Sequence, residues 1–100
     1  MSESRFGPEL REECGEWIWE QLQEESMYIA GELIDLIIQT ERDMAIHTRP
    51  LDEIAQRLDE EFQVQGISGP PSPLDRSMIR AVLEWEDEFL GLARIPRAES

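Results

Sequence analysis

His47 is the only histidine in the chain, and Asp43 precedes it by one helical turn, so a shared helix face would make the two a weak metal pair or an acid–base couple. The competing outcome is a solvated histidine near a helix C-terminus, where the protonated ring suits the dipole, and that is the expectation. Carboxylates also recur at helical spacing, Glu12 with Glu16 and Glu20 with Glu24. A di-metal site in a helical bundle uses inward-facing Glu-x-x-His pairs; the sequence contains none, which assigns these glutamates to a wet face. Cys14, the single cysteine, cannot form an internal disulfide, and this places the chain in a reducing cytoplasm. It falls on the apolar stripe of a helix, where a free thiol behaves as a small hydrophobe. There is no glycine-rich phosphate loop, no nucleophile elbow and no zinc-type cluster of cysteine and histidine. The expectation is a protein that is not an enzyme, with no catalytic residue, no metal and no cofactor.

Charge is the strongest compositional fact: 23 acidic residues stand against nine arginines and no lysine, for a net charge of -14. Such a surface repels phosphate backbones, and so disfavours nonspecific nucleic-acid or anionic-membrane binding. Residues 1–43 hold twelve acids and three arginines, whereas 44–100 hold eleven acids and six arginines. Any anion site therefore belongs to the second half, and the acidic surface as a whole offers a docking face for a basic partner. The opening MSESRFGPELREE has no apolar central segment of the kind a signal peptide carries. The most apolar stretch, Met27–Ile38, is too short and too charged to span a membrane, which needs roughly 20 apolar residues.

The elements that position these residues are helices. Residues 1–100 read as one all-α domain of four helices, with 1–6 and 96–100 frayed and a Gly/Pro-rich loop at 63–73. Pro8 suits the first turn of helix one, which should run to Gln23 or Glu25 with Leu10, Cys14, Trp17, Ile18 and Leu22 inward. Trp19 lies off that stripe. Helix two is expected from Met27 to about Ile46 with Ser26 as its N-cap, packing around Leu33, Ile34 and Ile37. Helix three follows Pro50, with Leu51, Ile54, Ala55, Leu58 and Phe62 inward. Val64 to Ile67 then reads as briefly extended, with Ile67 reaching the core. Ser72, Pro73 and Asp75 resemble a capping box for helix four, which presents Met78, Ile79, Val82, Leu83, Glu86 and Phe89 along one side, is flanked by Trp85 and stops at Gly91. Leu92 to Ile95 would add a short extended piece.

Across residues 27–95 the pattern resembles a winged-helix or helix-turn-helix domain. Leu51-Asp-Glu-Ile54-Ala55-Gln-Arg-Leu58 is similar to the second helix of that family, and Ile79–Leu83 leading to Leu90–Arg94 is similar to its third helix and the entry to a wing, here vestigial or absent. The resemblance implies that Arg76, Ser77 and Arg80 would meet DNA bases in the major groove.

Two functions lead the expectations, and an enzyme whose site the sequence does not display is a third. The preferred one is a small acidic helical interaction module that docks a basic protein through Trp19 or Trp85, large aromatics being frequent interface anchors. The alternative is a DNA-binding regulator in which Arg49, Arg57, Arg76, Ser77, Arg80, Arg94 and Arg97 gather on one side. A homodimer formed through the amphipathic first helix suits either.

Overall fold

The computed structural model describes residues 5–68 and 74–100. Four helices follow one another: α1 Pro8–Glu24, α2 Gly31–Asp43, α3 Leu51–Val64 and α4 Arg76–Ala93, with a single 3-10 turn at Arg97–Glu99. Among the described residues there is no strand and no helix long and apolar enough to cross a membrane. α4 is the hub and packs against each of the other three, while α2 lies against α1 and α3. The radius of gyration, 12.9 Å, is close to the roughly 13 Å of a compact 100-residue domain.

The inner stripes are those that apolar periodicity predicts. Cys14, Ile18 and Leu22 of α1, Ile34 and Ile37 of α2, Ile54, Leu58 and Phe62 of α3, and Ile79, Val82 and Leu83 of α4 are fully enclosed in one core. The stripe of α1 is thus spent inside its own domain and is not a free dimer face. Aromatic rings fasten α1 to α4: Trp17 meets Trp85 edge-on at 5.5 Å between centroids and Phe89 at 5.9 Å.

α1 spans Pro8 to Glu24 and α3 begins after Pro50 as expected, whereas the ends of α2 and α4 differ, for one recurring reason. Each helix closes with paired backbone bonds characteristic of the Schellman motif, around a residue in the left-handed region. After α1 that residue is Ser26 (φ 61°), with Ser26 N–H donating to Gln23 O and Met27 N–H to Leu22 O. After α2 it is Ala45 (φ 57°), after α3 Gly66 (φ 76°) and after α4 Arg94 (φ 58°). Ser26 therefore ends α1 rather than capping α2. Residues 27–30 are not helical, and α2 starts only at Gly31. Likewise α2 stops at Asp43, Val64 is the last helical residue of α3, and α4 runs past Gly91 to Ala93, so neither extended piece forms. Ile46, Ile67 and Ile95 follow the left-handed residues and turn back onto the core.

Asp75 caps α4 by accepting a bond from Met78 N–H at 2.9 Å; the Ser72 cap and Pro73 start fall outside the described residues. Both ends of the described chain make contacts with the helices. Phe6 is fully buried against Phe89, Arg5 N–H donates to Glu99 O at 3.1 Å, and Arg97 reaches into the interior.

Candidate functional site

Trp19 is 40% exposed on the outer side of α1. It lines a groove of about 210 Å³ with Glu12, Gly15 and Glu16 of the same helix and Gly31 and Asp35 of α2. The groove continues into a second cavity of about 380 Å³, where Glu12 and Asp35 reappear beside Pro8, Arg11, Ile38 and Gln39. Helical spacing explains the alignment, because positions 8, 11, 12, 15, 16 and 19 share one face. Gly15 sets the depth: a methyl group there would collide with the Asp35 carboxylate, so the absence of a side chain lets that carboxylate lie over α1. Partial burial, with Glu12 and Glu32 nearby, raises the Asp35 carboxyl above its ordinary range. Glu9, Glu12, Glu13, Glu16, Glu20 and Glu24 are all exposed, and among the described residues no ion pair engages any of them. Trp85, the other aromatic candidate, is half-buried against Trp17 and lines a separate open cavity of about 760 Å³ beside Leu51, Arg80 and Glu84.

The later arginines do not form a common bare face. Arg49 and Arg57 both pair with Glu53, Arg76 lies 3.8 Å from Asp59, and Arg80 bonds Asp52 at 2.8 Å and lies 3.5 Å from Glu84. Arg76, Ser77 and Arg80 line one pocket with Asp52, Ala55 and Gln56. Arg94 is exposed and supplies the left-handed end of α4. Arg97 belongs inside, with its side chain 16% exposed.

Around Arg97 lies the most heavily bonded polar cluster among the described residues. Glu41 and Glu86 are each 0% exposed, one on the inner face of α2 and the other on that of α4. Arg42 Nη1 bridges them, 2.7 Å from Glu41 Oε1 and 2.8 Å from Glu86 Oε2, and its Nη2 donates to Ser100 Oγ at 2.8 Å. The Arg42 guanidinium also lies 4.5 Å from the centre of the Phe6 ring. Arg97 closes the other side: Nη1 donates to Glu41 Oε2 at 3.2 Å and His47 O at 3.0 Å, Nη2 to Glu86 Oε1 at 2.7 Å and Leu83 O at 3.4 Å, and Nε to Asp87. Two guanidinium groups face three carboxylates, and that excess favours keeping one proton. Burial, then the charge of Glu86, pushes the Glu41 carboxyl up to about 8.

Glu86 was visible in the sequence as a carboxylate on an apolar stripe; Glu41, four residues beyond Ile37, carried the same signal. No local pattern announced Arg97. Asp43 turns to Gln39, whose Nε2 donates to it at 2.8 Å, while burial and the charges of Arg42 and Arg97 lower the His47 pKa. The structure records no bond between these two side chains, and among the described residues no group of three or more His, Cys, Asp or Glu is placed to hold a metal ion. Burial pushes the Cys14 thiol well up, away from the thiolate. Models of protein families, curated proteins and solved structures give no match to the chain.

Proposed function

We propose that this protein is a non-catalytic helical interaction module whose α1 face, with the groove beside Trp19, docks an arginine- or lysine-bearing segment of a partner protein. One observation carries this reading: among the described residues no cation pairs with the exposed carboxylates of α1, whereas most arginines of the second half are held by carboxylates of their own domain. A basic segment would relieve like-charge crowding around Glu12, Glu16 and Asp35 and could lay a guanidinium on the Trp19 ring, a contact worth about 0.5–2 kcal/mol. Like charge opposes self-association through the same face, and opposes a DNA duplex meeting Arg76, Ser77 and Arg80 beside Asp52, Glu84 and Asp59.

Titration with a labelled arginine-rich peptide at low and moderate salt tests the reading. Binding should weaken with salt. Trp19→Ala should reduce affinity by roughly 30-fold if the ring is a true anchor, and Glu12→Gln with Glu16→Gln should flatten the salt dependence. Equal binding by all variants, or a low-salt mobility shift with a pool of DNA duplexes and no peptide binding, would refute it.

A further inference from the structure

We propose that Glu41, Glu86 and Asp87, with the carbonyls of Leu83 and His47, form an arginine-specific socket that Arg97 fills in cis, making residues 95–100 a displaceable strap. The class of ligand is a guanidinium on an alkyl stem, such as a partner's arginine side chain. This inference does not rest on the α1 docking face.

Stoichiometry identifies the socket. A guanidinium has five N–H donors in a fixed planar fork, and Arg97 finds five acceptors: Asp87 at Nε, Glu41 and His47 O at Nη1, and Glu86 and Leu83 O at Nη2. An ammonium has three donors and no plane, so lysine cannot reproduce this pattern. The acceptors come from α2, the connection after it, and α4, all outside the segment that supplies the ligand. That segment lies along the surface: Pro96, Ala98 and Glu99 are exposed, while Ile95 turns onto the core, Arg5 pairs with Glu99 and the Ser100 hydroxyl accepts from Arg42. It leaves α4 through Arg94, whose left-handed backbone is unfavourable for a residue with a Cβ.

Emptying the socket tests this. Arg97→Ala leaves buried carboxylates short of a cation, so its melting temperature should drop and should recover by at least about 4 °C with low-millimolar ethylguanidinium. Ethylammonium at equal concentration should recover little, and Arg97→Ala combined with Glu86→Gln should lose most of the guanidinium response. An equal response to both cations, or none in a folded variant, would overturn the socket. If Arg97→Ala folds only with ethylguanidinium, the socket stands. If it folds in neither, amide exchange in the unaltered protein decides. Arg5 and Glu99 amides exchanging at least about 100-fold faster than those of Ile37 and Ile38 would support a strap that opens locally, and exchange of all four only through global unfolding would overturn it.

Discussion

Replacing Glu41 by Gln removes its ionisable proton while nearly keeping the side-chain volume, at the cost of one of the two bonds its oxygens accept from Arg42 and Arg97, a loss that does not vary with pH. The sign follows from burial. Glu41 is fully enclosed and its carboxyl is raised from 4.5 to about 8, chiefly by desolvation and then by Glu86. The folded state therefore holds a proton that the unfolded chain releases near its ordinary pKa. The stability this supplies is fully present below pH 4.5 and is lost as pH rises through about 8. At about 1.4 kcal/mol per pH unit within that window, the total is on the order of several kcal/mol. Glu41→Gln has no such proton to lose. Urea unfolding of both proteins from pH 5 to 8.5 should show the wild type losing stability relative to the variant by about 2 kcal/mol or more. The remaining carboxylates are common to both chains, so their titration largely cancels in the difference. Parallel curves across the range would mean that Glu41 is ionised in the fold throughout, and the account of a shared proton would be wrong.

Three further substitutions probe the fold. Ala45→Gly should stabilise by about 0.5–1 kcal/mol in urea melts, because glycine relieves the left-handed strain at φ 57° at a smaller cost in chain entropy; a loss of stability would argue against that turn. Asp75→Ala should destabilise by about 1 kcal/mol through the bond to Met78 N–H, with Asp75→Asn retaining most of it. Phe6→Ala should lower stability by roughly 3–5 kcal/mol as measured by chemical unfolding, since the ring is fully enclosed between Phe89 and the Arg42 guanidinium. A negligible effect would restore the view that residues before Gly7 are loose.

How much of this could be read from the chain alone depends on the range over which each cause acts. Apolar periodicity is local and repeats several times per helix, which is why Cys14, Ile18, Leu22, Ile54, Leu58, Phe62, Ile79 and Val82 are all inward as expected. Helix ends are also local, but their usual signal is glycine, and here Ser26, Ala45 and Arg94 take the left-handed position. Tertiary packing of Ile46 and Ile95 holds the last two turns against that preference, so the only glycine among the four marks the only stop that composition could announce. The apolar run at Met27 consequently predicts helix two four residues too early, and composition points to Gly91 for a role that Arg94 performs.

The polar cluster is the opposite case, because its cause is entirely nonlocal. A carboxylate on an apolar stripe, Glu41 or Glu86, can be read from spacing as an anomaly, and an anomaly demands a partner. The partner's address is not in the spacing. Arg42 is adjacent to Glu41 but 44 positions from Glu86, and Arg97 is 56 positions from Glu41, in a tail whose own composition reads as solvent-facing. The six later arginines looked equivalent because net charge counts them alike. The fold separates them by environment: Arg49, Arg57 and Arg80 are surface partners of Glu53, Asp52 and Glu84, the exposed Arg76 lies 3.8 Å from the buried Asp59, and Arg97 is an interior ligand with every N–H directed at an acceptor. A surface pair contributes at most about 1 kcal/mol, whereas removing one member of a buried set costs about 3–5 kcal/mol because the rest is left uncompensated. An alanine scan of the arginines should therefore be sharply uneven, with Arg97 and Arg42 far above the others. A flat scan in thermal melts would count against the interior cluster as the element that fixes the tail to α2 and α4.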